Sequence, residues 1–240
     1  MPAFFEVEIS VPGHLMVEDL NEFVEFSDVK DLSSHKTGGT AHVVMGKLRN
    51  SKDVHKHGFF DVAVKFFHSN AENHKSFYAN FRYEVSLMSA LPDSPYLAKL
   101  IGYTENPMVI IMKRYLSSLA ECLEQPGFFK DYETRRFKAS IEIALGMEVI
   151  HSKNIVHFDL KPGNLMSLLV SSSDVFYLGN VLVDIRSFSD YNFLICDFGF
   201  ADYAPEAGRQ VVAGMKRPSN TGITPRYAAP EVSKSMCEKD

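Results

Sequence analysis

The stretch IVHFDLKPGN, residues 155–164, decides how the rest of the sequence is interpreted, because it gathers polar side chains that packing alone does not require. It holds Asp159, Lys161 and Asn164 on one predicted loop, and a later motif, CDFG, places Asp197 beside a glycine. Phosphoryl transfer needs a carboxylate to orient a hydroxyl, oxygen ligands for Mg²⁺ and cations for phosphates. Each of these roles has a candidate here.

Two periodic segments upstream supply another cation and another carboxylate. The alternating run DVAVKFF, Asp61–Phe67, predicts a strand with Lys65 on the same face as Ala63. The next segment predicts a helix whose apolar residues are spaced four, four and three apart, at Phe77, Phe81, Val85 and Met88. Glu84 lies on this apolar face. It either pairs with a cation such as Lys65 or lies in water at the edge of the stripe, which the helix pattern alone favours.

Further strands and helices follow the same reasoning. MVIIM at residues 108–112 predicts a short buried strand that ends at charged residues. Residues 131–152 predict a helix, because apolar side chains recur every four positions from Phe137. The pattern therefore changes from β-rich to helical near Met112.

The ordered set VAVK, a helical Glu, HxDLKPxN, DFG and APE at residues 229–231 resembles the eukaryotic protein kinase family, from about residue 28 to Val232. This resemblance implies an α+β, two-lobed fold. The implied divisions are an N-terminal extension at 1–27, a β-rich N-lobe at 28–112, and a hinge with a helical C-lobe at 113–240.

The resemblance also implies roles for single residues. Lys65 would hold the α/β-phosphates of ATP and pair with Glu84, Asp159 would be the catalytic base, and Lys161 would lie near the γ-phosphate. The implied Mg²⁺ ligands are Asn164 and Asp197. The implied adenine site is formed by Val43, Ala63, the gatekeeper Met112 and the backbone of the hinge residues Lys113, Arg114 and Tyr115.

The phosphate-binding loop departs from the family pattern. Of its three glycines only Gly38 is kept, since Lys36 and Ala41 stand at the other two positions. A glycine lets the backbone approach a phosphate without a Cβ, so we expect a lid that is stiffer or looser than usual.

The spacing between Asn164 and Asp197 is longer than the family pattern requires, which indicates an insertion at residues 165–180. One hypothesis is a translated retained intron or a gene-model error, because removal of this segment joins HFDLKPGN directly to VLVD, as the kinase pattern requires. The other is a real insertion in which 175–178 and 181–183 form a hairpin around Gly179-Asn180. Either Asn164 or Asn180 could then bind Mg²⁺, and contiguity with Asp159 favours Asn164.

Two other departures concern regulation and completeness. Phe158 stands where many family members have an arginine that receives a phosphorylated activation loop, so we expect that phosphorylation of 197–231 is not the main switch. The sequence stops nine residues after Glu231, before further helices that the resemblance implies. We therefore expect a truncated C-lobe with uncovered apolar surface on the helix at 131–152.

The function predicted by the motifs is ATP- and Mg²⁺-dependent phosphoryl transfer to protein Ser/Thr hydroxyls. Lys161-Pro162 and Thr224 resemble the serine/threonine-directed branch of the family. The sequence as a whole is similar to the tyrosine-kinase-like group of that branch. The alternatives are a catalytically inactive kinase-like binding module or incomplete gene product, and a small-molecule phosphotransferase.

Composition narrows the class of partner and compartment. The chain of 240 residues has 25 basic and 30 acidic side chains, and this net charge of −5 does not suggest a nucleic-acid partner. Three distant cysteines fit no disulfide framework, and no uncharged apolar run has membrane-spanning length. We expect a cytoplasmic protein with no membrane partner, whose residues 1–27 form a solvated extension.

Overall fold

The computed structural model describes residues 11–26, 41–68, 74–124, 128, 133–161, 180–187 and 190–204. Several predicted features lie outside these ranges, namely Gly38, Asn164, the insertion up to residue 179, Thr224 and the APE motif. None of the helices in this part of the chain has the length and apolar composition that a membrane-spanning segment needs.

Strands and helices follow one another in an α+β order, as the sequence predicted. A 3₁₀ turn at Gly13–Leu15 precedes them. The helices are α1 (Leu20–Phe23), α2 (Ser51–His57), α3 (His74–Ala90), α4 (Leu119–Glu124) and α5 (Glu133–His151). The strands are β1 (Val24–Phe26), β2 (Ala41–Leu48), β3 (Asp61–Phe67), β4 (Leu100–Glu105), β5 (Met108–Lys113), β6 (Ser117–Ser118), β7 (Ile155–Val156), β8 (Val181–Ser187), β9 (Asp190–Ile195) and β10 (Asp202–Tyr203).

The N-terminal lobe is built on an antiparallel sheet in the order β1-β2-β3-β5-β4. Its register places Val43 opposite Lys65 and Ala63 opposite Met112. Directly opposed residues point to the same face, so these four side chains share one face of the sheet. The opposite face carries Val62 and its neighbours, which form a separate buried apolar cluster.

Helix α3 joins this sheet to the second lobe through one apolar cluster. Phe81, Val85 and Met88 are buried there with Ile150 of α5 and Phe198 of the DFG motif. Their spacing of four and three is the one that the sequence used to predict the helix. The position of α3 is therefore linked by packing to both lobes.

The second lobe consists, in its described part, of α4, α5, the two-stranded pair β7–β10 and the sheet β6-β8-β9. Helix α5 approaches β9 closely at Gly146, where an added Cβ would lie 2.9 Å from the Cδ1 of Ile195. The predicted strand at 181–183 is present, but its partners are β6 and β9. On α5, Phe137 and Ile141 are 67% and 57% exposed.

The expectation of a solvated N-terminal extension is wrong for residues 11–26. Val24 is fully buried in β1, and the backbone N–H of Val17 donates to the carbonyl of Tyr103 on β4 at 2.8 Å. Leu15 packs against the cluster that contains Phe198. This packing was not predicted, because the segment is short and lacks a clear period. The sheet of the first lobe therefore begins before residue 28.

Gly102 on β4 permits this close approach. An added Cβ would lie 2.9 Å from the carbonyl oxygen of Leu15 and 3.0 Å from a methyl group of Val17. We predict that Gly102→Ala lowers the free energy of unfolding by about 1–3 kcal/mol, measured by urea denaturation. Gly13→Ala is the matched control, because open space surrounds that Cβ position. Equal stability of the two variants would contradict the predicted contact.

Candidate active site

The ammonium group of Lys65 is the centre of the site. It donates to both carboxylate oxygens of Glu84, at 2.7 and 3.0 Å, and to Oδ1 of Asp197 at 2.8 Å. Lys65 and Glu84 are buried, with 7% and 3% of their surface exposed. The interpretation that places Glu84 in water is therefore wrong, because the strand supplies the cation that the carboxylate needs.

Burial and the charge of the ion-pair partner shift the pKa of each of these groups in opposite directions. Burial disfavours the charged form of Asp197, but the charge and hydrogen bond of Lys65 outweigh burial and lower the pKa of this carboxyl. Burial dominates at Glu84 and raises its pKa, with the nearby Asp197 acting in the same direction. The pKa of Lys65 is raised, because the two carboxylates overcome the effect of its own burial. One lysine thus pairs with two competing acidic groups.

The second half of the site surrounds Asp159. Lys161 donates to its Oδ2 at 2.6 Å, and both residues are buried. The Nδ2 group of Asn180 donates to the same oxygen at 3.1 Å and also to the backbone carbonyl of Asp159. The carboxylate is therefore fixed in orientation by two side-chain donors.

Asn180 is fully buried, and its Oδ1 has no hydrogen-bond partner among the residues that the structure describes. A buried carbonyl oxygen without a partner is costly unless something binds it. The sequence left open whether Asn164 or Asn180 belongs to this site. The structure places Asn180 against Asp159, whereas Asn164 lies outside the described residues.

His157 supports the loop from below. Its Nε2 lies 3.0 Å from the carbonyl of Cys196, and the backbone N–H of Asp159 donates to its Nδ1 at 3.4 Å. A carbonyl only accepts, so Nε2 carries the proton and Nδ1 is the acceptor of a neutral ring. Burial lowers the pKa of His157, which agrees with this neutral state.

Two residues of the site, one directly before Asp159 and one the candidate Asp197, have left-handed backbone. Phe158 has φ of 62° and Asp197 has φ of 61°. This region is unfavourable for residues other than glycine, especially for bulky ones, at a cost of about 1–3 kcal/mol each. Such strain is retained where the surrounding structure requires a particular geometry. Here one strained residue directly precedes Asp159 and the other is Asp197 itself.

A small cavity of about 30 Å³ lies between the lobes, beside the predicted adenine-binding residues. Its lining includes Ala63 and Met112 from the first lobe and Leu182 from β8. Val43 is buried on the same sheet face. In the hinge, the N–H of Arg114 donates to the Asp61 carbonyl at 3.1 Å, so that N–H is already bonded.

Leu182 and the hinge contact to β8 are features that the sequence reasoning missed. Lys113 forms an ion pair with Asp184 of β8, with 2.8 Å between Nζ and Oδ2. The apolar run VLV that follows Asn180 was the available signal, since it predicts a buried strand. These contacts place β8 under the hinge.

The described acidic and histidine side chains do not gather in groups of three or more that would suit a metal ion. The donors in the site are instead the carboxylate of Asp197 and the amide oxygen of Asn180. Hard oxygen donors of this kind suit Mg²⁺, which binds through few protein ligands and keeps other positions for phosphates and water. The cations of Lys65 and Lys161 suit an anionic substrate.

Removal of the Lys65 charge leaves the buried carboxylate of Glu84 and the partly buried carboxylate of Asp197 without their shared partner. We predict that Lys65→Met lowers the free energy of unfolding by about 3 kcal/mol at pH 7. Lys99→Met is the control, because its ion pair with Asp93 is exposed and is worth about 1 kcal/mol or less. Chemical denaturation measures both, and similar losses would show that the buried cluster is not a principal source of stability.

The buried neutral ring of His157 predicts a pH dependence of stability. The pKa is 6.5 in the unfolded state and lower in the folded state, so stability falls as the pH drops below about 6.5. Between pH 7.5 and 5.5 we expect the loss to reach at most about 1.4 kcal/mol from this group. His157→Gln should flatten the pH profile of the free energy of unfolding. A variant with the same slope as the parent would contradict this assignment.

Comparison with known proteins agrees with this geometry. The family described as "Protein kinase domain" matches residues 37–239. The chain is 31% identical over 150 residues to the protein named "Probable serine/threonine-protein kinase" of Dictyostelium discoideum, which covers 60% of this chain and 10% of that protein. It is 31% identical over 153 residues to the mitosis inhibitor protein kinase wee1 of Schizosaccharomyces pombe, covering 62% and 14%.

A third relative is serine/threonine-protein kinase 1 of African swine fever virus, 36% identical over 84 residues, with 35% of this chain and 28% of that protein covered. The matches thus span between a tenth and under a third of these relatives. The family match extends over most of the chain and includes both halves of the site. The chain belongs to the protein kinase family.

Proposed function

We propose that the chain transfers the γ-phosphoryl group of ATP to serine or threonine hydroxyls of proteins. The observation that carries this proposal is the simultaneous contact of Lys65 with Glu84 and Asp197. It brings a cation from the sheet to the same point as a carboxylate from the DFG motif. A phosphate chain bound there would meet a positive group and a metal-binding group together.

The second half of the site, around Asp159, would orient the acceptor hydroxyl of the substrate. Asp159 would accept a hydrogen bond from the substrate hydroxyl, whose oxygen attacks the γ-phosphorus as the bond to the β-phosphate oxygen breaks. The hydroxyl proton passes to the Asp159 carboxylate. Lys161 and Asn180 hold that carboxylate in place, and the Lys161 ammonium adds positive charge beside the transferring group.

For the metal we propose Asp197 and Asn180 as protein ligands, with Asn180 in the role that contiguity had favoured for Asn164. The buried Oδ1 of Asn180, without a partner among the described side chains, fits an oxygen ligand. Bound Mg²⁺ supplies neutralisation of charge on the ATP phosphates. Asn180 would then have two functions, since its Nδ2 orients Asp159 and its Oδ1 would hold the metal.

The adenine would enter the cavity beside Ala63, Met112 and Leu182. Because the two N–H groups of Lys113 and Arg114 are bonded to Lys99 and Asp61, other hinge groups must bind the base. Val43 would cover it from the sheet.

Protein hydroxyls are proposed as acceptors on two grounds. The relatives in Dictyostelium discoideum and African swine fever virus carry serine/threonine-protein kinase names. Lys161 and Pro162 follow Asp159 as in the serine/threonine-directed branch that the sequence resembles. A cytoplasmic location, ATP as phosphoryl donor and the absence of nucleic-acid and membrane partners belong to the same proposal.

A transfer assay with radiolabelled ATP and a generic basic protein tests the proposal. We expect activity that requires Mg²⁺, and a loss of at least about 10³-fold in kcat for Asp159→Asn. Small alcohols as acceptors distinguish protein phosphorylation from small-molecule transfer. No difference between the parent and Asp159→Asn would favour a non-catalytic binding module.

The two asparagines are compared in the same assay. We predict that Asn180→Ala lowers kcat by about 10²-fold and raises the Mg²⁺ concentration needed for half-maximal activity, while Asn164→Ala changes either value by less than about threefold. Asn164→Ala is the matched control for an amide removed from the same segment. The reverse pattern would return the metal ligand to Asn164.

A further inference from the structure

A hydrogen bond outside the site described above connects α3 to the chain beyond the DFG motif. The hydroxyl of Tyr83 on α3 donates to Oδ1 of Asp202 on β10. Tyr83 precedes Glu84 directly, and Asp202 lies five residues after Asp197. The contact therefore joins the two segments whose carboxylates bind Lys65.

Strand β10 is itself anchored to the catalytic loop. Asp202 lies opposite Val156 and Tyr203 opposite Ile155 in the β7–β10 pair. Ala204 N–H donates to the carbonyl of Asn154 at 2.6 Å, just before β7. Strand β7 ends three residues before Asp159. A displacement of Asp202 would therefore shift the backbone that carries this catalytic candidate.

The Asp202 carboxylate is well placed to hold its partner. Its Oδ1 accepts from the Tyr203 N–H at 2.7 Å as well as from Tyr83, which fixes the side-chain rotamer. The Tyr83 ring packs against the cluster that contains Phe81 and Phe198. Burial, together with the hydrogen bond to Asp202, raises the pKa of Tyr83, so the hydroxyl stays a donor at physiological pH.

We propose that Tyr83 is a positioning residue, and that its hydrogen bond to Asp202 holds α3 where Glu84 meets Lys65 without any phosphate on the activation segment. This rests on the proposed transferase function. Glu84 touches Lys65 directly, whereas Tyr83 acts through the position of the helix.

The charges near this contact favour a phosphate-independent arrangement. Phe158, which directly precedes Asp159, is apolar and supplies no cation that could pair with a phosphate. Asp202 is a carboxylate, and it would repel a phosphoryl group brought close to Tyr83. A neutral hydroxyl bonded to a carboxylate supplies the connection between helix and segment instead.

Kinetics of four variants test the role. We expect Tyr83→Phe and Asp202→Ala each to lower kcat by about tenfold, with the KM for the protein acceptor changed by less than about threefold. Asp202→Asn retains an oxygen acceptor and should keep kcat within about threefold of the parent. The double variant Tyr83→Phe/Asp202→Ala should lose no more than either single change, because both remove one interaction.

Tyr78→Phe is the matched control. It removes a hydroxyl from the same helix, but that hydroxyl is bonded to Arg82 at 3.2 Å and not to the DFG side of the site. Its kcat should match that of the parent. Phosphatase treatment of the parent should alter kcat by less than about twofold, since the connection needs no phosphate.

Unaltered kcat in Tyr83→Phe, or losses that multiply in the double variant, would overturn the proposal. An inactive parent would instead refute the transferase function, and hydrogen exchange of the backbone of α3 then decides the matter. Faster exchange in Tyr83→Phe and Asp202→Ala, but not in Tyr78→Phe or Asp202→Asn, supports the positioning role. Equal exchange in all variants would refute it.

Discussion

The burial of the Lys65 ammonium is the constraint on which the site depends. A charge removed from water must be paired, and Lys65 meets this requirement only if α3 brings Glu84 and the DFG turn brings Asp197 to the same place. The sheet, the helix and the second lobe are thereby fixed relative to one another. The same requirement places a cation beside a carboxylate where a phosphate chain could bind.

Asp159 is also a buried charge that must be paired, but its partners are different. Its carboxylate is buried between the ammonium of Lys161 and the amide of Asn180, which comes from 21 residues further along the chain. The left-handed backbone at Phe158 and Asp197 turns the chain sharply beside each acidic group. Close packing of His157 and Phe198 beneath them supports both turns.

The sequence predicted the local elements well, because their periods are strong. Strand β3 has the predicted bounds Asp61–Phe67, and α5 lies within the predicted 131–152. The burial of Glu84 could not be deduced from the helix pattern alone, since it requires a partner on another element. Contiguity with Asp159 favours Asn164 over Asn180 in the sequence, because distance along the chain hides proximity in space. The packing of residues 11–26 was missed because they fold only against β4.

Thermal unfolding with MgATP tests whether the two charged halves form one nucleotide site. At 100 times its dissociation constant, a ligand that binds only the folded chain adds about 2.7 kcal/mol of stability. We predict a clear rise in Tm for the parent chain and its loss in Asp197→Ala. A parent chain with no rise in Tm, or an equal rise in both proteins, would contradict it.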